Sequence, residues 1–339
     1  MLCAAAATSC ATEEGRPTAL LVPSSRVGTE AFGTHVALVS EDIACLPDSY
    51  VFRVLCYHRS GALVGAWGSE GEGPGEFNGA MAVRRWRKGR VAVYDRDGIT
   101  VFEPSGEMVS EFRLPRLAAA QVIEAARVVG YGGGQLVELD IRTGNVVWTR
   151  SYAEIAAGET ECGDKSQGAP TPEGGWVFPA CGRELVFLHH RDDENVSVVK
   201  TPNYALELPN ERDIAVQRSF IESSRLAGGL GVPPPSRRDE YMRDFAARPK
   251  RWFLGGHAIK FDAHRRMWVG TRRDRSSASY IDIWMDADFM GSAQVRDRVT
   301  ALDVLGSTLV TLVTLPGADG LEPQRIDWYS TEDVRWGLK

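Results

Sequence analysis

The sequence predicts an all-β fold, a six-bladed β-propeller with a helical insertion between the fourth and fifth blades, and three observations carry that prediction. Beyond residue 35 the chain runs as short β-branched and aromatic stretches separated by glycine, proline and acidic turns. A strand–turn–strand unit recurs along it at a nearly constant interval. One segment, residues 201–253, interrupts the pattern with helix signals.

The chain of 339 residues, 43% of them apolar, is long enough to bury the core of one large β domain. Its formal charge of −6 does not suit a general nucleic-acid binder, which needs a basic surface to release counterions from phosphates. No stretch approaches eighteen uninterrupted apolar residues, so no membrane span is predicted.

Residues 1–25 read as a leader or lipoprotein-type tether, and residues 26–339 as the propeller. The start, MLCAAAATSCATEEGR, is rich in small residues but lacks the basic opening of a full signal peptide. Ala7-Thr8-Ser9-Cys10 resembles a bacterial lipobox in which Cys10 would carry a lipid; the alternative is a disordered leader. Setting Cys3 and Cys10 aside leaves four cysteines, Cys45, Cys56, Cys162 and Cys181. An even number fits two disulfides in an exported protein, and four buried thiols is the alternative.

The repeat is clearest in GRVAVYDRDGITVFEPSGEMVSEF, Gly89 to Phe112, which reads as strand, tight turn, strand, Pro-Ser-Gly turn, strand. Val91 and Val93, then Ile99 and Val101, alternate as the buried face of two paired strands should. Similar units occupy residues 51–67, 135–149, 184–200, 280–295 and 325–338. Their turns, Gly61, Gly106, Gly144, Asn195, Gly291 and about Val334, are spaced by 45, 38, 51, 96 and 43 residues. Removing residues 201–253 brings the long interval to the common one, so six units result. Glycine and asparagine suit hairpin turns because matching strand twist requires positive φ. Placing Ile43-Ala44-Cys45 in register with Val91-Ala92-Val93, and Val54-Leu55-Cys56 with Ile99-Thr100-Val101, sets Cys45 opposite Cys56. The expected bridges are therefore Cys45 to Cys56 and Cys162 to Cys181.

The run GAWGSEGEGPGEFNGAMAV, followed by GRVAVYDRDGITVFEPSGE, resembles the NHL-type repeat of six-bladed propellers. It is similar in particular to bacterial envelope-associated propeller proteins in which a GxGxGPGEF loop links the first two blades. FDAHRRMWVGTR and LEPQRIDWYS resemble late blades of that group. The resemblance implies a fold and an exported location, in the periplasm or cell envelope with or without a lipid anchor, and no shared reaction. It also settles a reading of the glycine-rich stretch Gly68 to Gly79. No GxxxxGK[ST] is present, and the glycines do not stand between a strand and a helix as a phosphate cradle requires. An inter-blade connector remains, with Phe77 docked in the core and Pro74 stiffening the path.

Within the insertion, Asn210 and Asp213 form one capping box and Ser236 and Asp239 a second. Tyr241 and Phe245 share a helix face, and Pro249 ends it. The insertion is expected to fold over one end of the propeller, either as a carrier of binding residues or as a cover for apolar surface.

No GxSxG elbow, HExxH helix, EF-hand loop or dinucleotide fingerprint appears, and no cofactor or metal is implied. His35 and His257, in THVALV and GHAIKF, fall beside the innermost strands, near the central channel. They are either structural histidines or an acid/base or metal pair. Metal-dependent six-bladed lactonases hold calcium with a glutamate, two asparagines and an aspartate; this chain has five asparagines, none of them placed on an inner strand.

From Arg225 to Arg275 there are thirteen bases, eleven of them arginine, and five acids, a balance of +8 within a chain of −6. The run is either a solvated face or a docking surface for an acidic ligand, with Arg237, Arg238, Arg272 and Arg273 as its foremost residues. The sequence thus points to a monomeric, non-catalytic scaffold that binds a partner protein or an acidic small molecule or glycan. The competing class is a channel-centred hydrolase or lyase.

Overall fold

The sheets of this protein follow one another along the chain, and two of the later ones take a strand from its beginning. The structure, a computed structural model, describes residues 18–334 apart from 49, 80, 96–97, 114–117, 125–126, 133–134, 152–167, 173–174, 180–183, 189–195, 202–206, 227–233, 251, 276–277, 287 and 316–322. Strands Thr18–Leu20 (β1) and Ser25–Thr29 (β2) come first and join sheets formed late in the chain.

Four antiparallel meanders of four strands follow. They are Ala37–Ser40, Ile43–Asp48, Arg53–His58 and Leu63–Trp67 (β3 to β6); Ala82–Arg85, Val91–Tyr94, Gly98–Phe102 and Met108–Arg113 (β7 to β10); Ala118–Glu124, Arg127–Gly132, Gln135–Asp140 and Asn145–Ser151 (β11 to β14); and Ala169–Pro170, Trp176–Pro179, Glu184–Leu188 and Val196–Lys200 (β15 to β18). A fifth sheet contains Ile259–Phe261, Arg266–Arg275, Ala278–Met285 and Asp288–Val295 (β19 to β22), with β1 added in parallel along β22. The last contains Arg298–Leu305, Thr308–Thr314 and Gln324–Ser330 (β23 to β25), completed by β2 running antiparallel to β25.

Among the described residues the strands therefore form six sheets. Their first strands pack beside one another, β3 against β7 and β23, β19 against β23, and β11 against β15, so these strands surround a common axis. The fold is an all-β propeller with few helices.

The sequence units at 51–67, 135–149, 184–200 and 280–295 correspond to the third and fourth strands of their sheets, Gly89–Phe112 covers the second to the fourth, and 325–338 holds β25 as its one strand among the described residues. Gly61, Gly106 and Gly144 adopt φ of 95°, 102° and 70°, the conformations their hairpins need. Asn195 lies outside the described residues. Two expected turns differ. Gly291 is inside β22, paired with Ile283, and the hairpin turns instead at Asp286, with φ of 53°. Val334 is not a hairpin turn: β25 runs into a 3-10 turn at Thr331–Asp333, and its outer neighbour is β2. A local pattern cannot show that a strand's partner lies some three hundred residues away.

The connector from β6 to β7 behaves as a docked crossing. Phe77 is buried, its N–H donates to Ser69 O at 2.8 Å, and its ring meets Phe102 at 5.9 Å between centroids. Gly68, at φ of 103°, lies so close to the Phe77 ring that any Cβ would collide with it.

Cys45 and Cys56 are direct cross-strand partners on β4 and β5 and form a disulfide, with Cα atoms 4.0 Å apart. Both are fully buried in the cluster that joins the first two sheets. Cys10, Cys162 and Cys181 lie outside the described residues.

Between β18 and β19 run two helices, Glu211–Leu226 (α1) and Arg238–Ala247 (α2). The Asn210 box forms as read: Asn210 N–H donates to Asp213 at 3.0 Å and Asp213 N–H to the Asn210 side chain at 2.9 Å. The Ser236 box does not. Pro234 precedes a 3-10 turn, Pro235–Arg237, and Arg237 takes the N-cap position of α2 without a side-chain cap. Proline's fixed φ sets that entry in place of a serine cap. Gln217 Nε2 donates to the Tyr241 hydroxyl at 3.1 Å, linking α1 to α2, while Tyr241 itself stays exposed. No helix among the described residues is long and apolar enough to cross a membrane.

The β2–β25 pairing generates a prediction. Val27 is buried opposite Ile326, in a cluster with Leu38, Leu46 and Trp328. Val27→Asp would bury an unpaired carboxylate there and is expected to cost on the order of 3 kcal/mol. Urea denaturation of the variant and the parent measures the loss; an unchanged midpoint would show that this closure is dispensable.

Candidate functional site: a basic cluster on the axis

The alternation of strand side chains sets neighbouring residues of each inner strand on opposite faces of its sheet. On β7, Val83 enters the core between the first two sheets, so its neighbour Arg84 points the other way. On β19, Ile259 and Phe261 pack with Trp284 and Phe289, leaving Lys260 on the opposite face of the strand. On β23, Leu302 and Val304 join the core and Asp303 lies between them on the opposite face. His35 precedes β3, and His257 occupies a 3-10 turn, Gly256–Ala258, that leads into β19.

These side chains converge. The His35 and His257 rings meet edge to face, 5.5 Å between centroids. Thr34 Oγ1 lies 2.9 Å from His35 Nδ1, and His257 has a backbone hydrogen bond at Thr300 on β23. Lys260 Nζ is 3.9 Å from Asp303 Oδ1, and Asp303 Oδ2 accepts the Leu38 N–H at 2.8 Å, tying β23 to β3. Arg84, 8% exposed, donates from Nη1 to Val83 O at 2.9 Å; its Nε has no hydrogen-bond partner among the described residues. Arg85 Nη1 reaches Leu38 O and Val304 O, each at 3.5 Å.

The electrostatics of the cluster are one-sided. Burial, then the Arg84 charge, then Arg85 push the Lys260 ammonium down to about 7, against the opposing pull of Asp303. Burial, Arg84, Arg272 and Lys260 together lower His257 to about 3. Burial and the charges of Arg84, His257 and Lys260 hold His35 well below the ordinary histidine range. Burial also lowers Arg84, with Tyr94 and Asp303 opposing. Asp303 is the carboxylate that acts on Arg84 and Lys260. The arrangement can receive negative charge; both imidazoles are neutral at neutral pH and offer hydrogen bonds instead of charge.

The two histidines singled out from the sequence are thus brought together. The four arginines are not. Arg237 is exposed and bridges Glu240 at 3.4 Å, and Arg238 is half-buried at the start of α2. Arg272 is exposed, and its charge reaches His257. Arg273, the next residue on β20, points to the opposite face and is 4% exposed; it pairs with Asp282 at 3.3 Å, donates to Ser292 at 3.0 Å and stacks on Tyr280. It is a buried structural ion pair and does not face an external ligand. Arg84, Lys260 and Asp303 escaped the sequence reading. The signal for them was a charge interrupting an apolar alternation in AVRR, AIKF and ALDVL. Among the described residues no group of three or more His, Cys, Asp or Glu side chains is arranged to hold a metal ion.

No protein-family model matches the chain, and no curated protein matches it. Solved structures do. One is a Bacteroides fragilis protein named as a presumed exported protein, at 11% identity and a TM-score of 0.51, covering 92% of this chain and 99% of that one. Another is a DUF4221 family member from Bacteroides vulgatus, at 10% identity and 0.51, covering 91% and 97%. A third is a luciferin-regenerating enzyme, at 10% identity and 0.52, covering 89% and 92%. At these identities the likeness concerns the fold alone.

The histidine pair generates a pH prediction. An unfolded histidine titrates near 6.5, and His257 in the folded chain near 3, so below pH 6.5 the unfolded chain binds a proton that the folded one refuses. This contribution to stability is complete above about 6.5 and is lost as pH falls toward 3. His257→Gln is expected to reduce the drop in stability between pH 7 and pH 5 by on the order of 1 to 2 kcal/mol, read from urea midpoints at both pH values. Identical pH dependence in the variant would place His257 in contact with solvent.

Proposed function

We propose that the chain is a six-bladed, NHL-type propeller of an exported bacterial protein, and that it binds a small acidic ligand on its axis without turning it over. The observation that carries the binding is the axial cluster itself: Arg84, Arg85 and Lys260, with His35 and His257, against one carboxylate, Asp303. A buried charge is normally matched by its structure, and surplus positive charge lowers the cost of bringing an anion in.

Six sheets, and a glycine-rich crossing with Phe77 docked behind it, support the blade number and the repeat type. Export is supported by the Cys45–Cys56 disulfide and by the name of the B. fragilis protein of similar fold. Residues 201–253, with α1 and α2, are an insertion between the fourth and fifth blades, and the lipobox reading of Cys10 places the domain on a tether. Arg237, exposed, and Arg238, half-buried, form a rim that hastens encounter with an acidic ligand.

Thermal unfolding in sulfate, phosphate or citrate, against chloride at matched ionic strength, tests the binding. The polyanions are expected to raise Tm by several degrees, since an anion at a hundred times its Kd adds about 2.7 kcal/mol. Arg84→Met should abolish most of that rise, and Arg237→Glu with Arg238→Glu should leave it in place. Equal Tm values in all anions would remove the axis as the ligand site.

A further inference from the structure

The axial cluster contains one base whose charge is not settled by its surroundings. Lys260 is faced by Arg84 and Arg85 from β7, Asp303 from β23, His35 from the segment before β3 and His257 from its own lead-in turn. Its side chain is 10% exposed, and its nearest carboxylate oxygen, at 3.9 Å, is beyond a good hydrogen bond. Asp303 is already committed through Oδ2 to the Leu38 N–H. Arg84, buried with an unpartnered Nε, holds a permanent charge against the same space.

We propose that the axial site takes up dianions together with one proton, that Lys260 is the group that receives it, and that pH therefore sets the site's occupancy as strongly as ligand concentration does. The inference rests on the acidic-ligand reading above and adds to it a ligand class, doubly charged sulfate-, phosphate- or dicarboxylate-type groups, and a second bound species.

Linkage gives the direction. Empty, the site holds Lys260 near 7, so at pH 8 most molecules carry the free amine. A single anionic charge about 4 Å away raises an ammonium by roughly three pH units at the effective dielectric of a partly buried site, and a dianion by more. The occupied site then keeps Lys260 charged at pH 8, and the difference is taken from solvent as a proton. The same charge acts on His257, which starts near 3 against about 7 for Lys260, so Lys260 is the first of the two to take the proton. Affinity should be steady below pH 7 and fall above it, approaching tenfold per pH unit.

Sulfate is the probe, because it does not titrate between pH 6 and 9 and any proton taken up belongs to the protein. Its Kd, obtained from thermal shifts across that range on the full chain, is expected to weaken about tenfold from pH 8 to pH 9, and sulfate added to weakly buffered protein at pH 8 should raise the pH of the solution. Lys260→Arg, charged throughout, should bind sulfate with a Kd that does not change with pH. Lys260→Met should bind weakly, also without pH dependence. A flat Kd in the parent, or no proton uptake, overturns the coupling while leaving anion binding intact. A pH slope that survives in Lys260→Arg assigns the proton elsewhere and overturns it too. Absence of any sulfate effect on the parent at pH 6 removes the underlying site.

Discussion

The pairing of Ser25–Thr29 with Gln324–Ser330 is the contact on which the rest of the architecture depends. Each meander folds from neighbouring residues, but a propeller acquires its axis only when the last sheet meets the first. Here the last sheet makes three strands of its own and takes its fourth from the beginning of the chain. That exchange brings Val27, Ile326 and Trp328 into one cluster with Leu38 and Leu46 of the first sheet, so ring closure and inter-sheet packing are one event. The loop it closes spans nearly the whole chain, and its entropy grows only slowly with that length, so a hydrophobic seam of this size can hold it. The parallel addition of Thr18–Leu20 to the neighbouring sheet extends the same seam and covers an edge that would otherwise be open.

Closure also explains why the axis carries charge. Innermost strands have a neighbouring sheet on each face, as Ala37 and Leu38 on β3 show by entering different cores. Arg84, Lys260 and Asp303 stand on the faces opposite Val83, Ile259 and Leu302, and their charged ends come together where the inner strands meet. Residues far apart in the chain become neighbours only through the ring: Asp303 accepts from Leu38 N–H across 265 positions. A single charged substitution on any one of these strands would look like a surface residue in isolation.

This is the reason the sequence could be read so unevenly. The hairpins at Gly61, Gly106 and Gly144, the Cys45–Cys56 register and the Asn210 cap all depend on residues within about a dozen positions of one another, and these were legible. The closing strand was not, because β2 carries no local mark of its distant partner, and the sixth unit was consequently read as a C-terminal hairpin. His35 and His257 were found because histidine is rare enough in this chain to be inspected one by one. Arg84 and Lys260 were hidden among 39 bases. The cluster of arginines at residues 225–275 attracted attention through charge density, which says nothing of direction: Arg272 and Arg273 are adjacent, and one is exposed while the other is buried against Asp282.

The chain supplies its own control for what a purely structural buried base looks like. Arg273 has Asp282, Ser292 and the Tyr280 ring. Arg266 has Asp262 at 2.6 Å, a carboxylate that also accepts from Trp268. Arg325 is held between Asp297 and Asp327, which raise its affinity for its proton. In each case the desolvation cost of the cation is offset by a carboxylate at short range and by further hydrogen bonds. The axis departs from that rule, since Arg84 lacks a carboxylate at contact distance among the described residues and Lys260 has one at only 3.9 Å. Burial lowers both, and the Arg84 charge lowers Lys260 further, a cost that inward-facing apolar residues would remove. Such a cost, offset only in part by Asp303 and confined to the meeting place of the inner strands, is the physical ground of the acidic-ligand proposal.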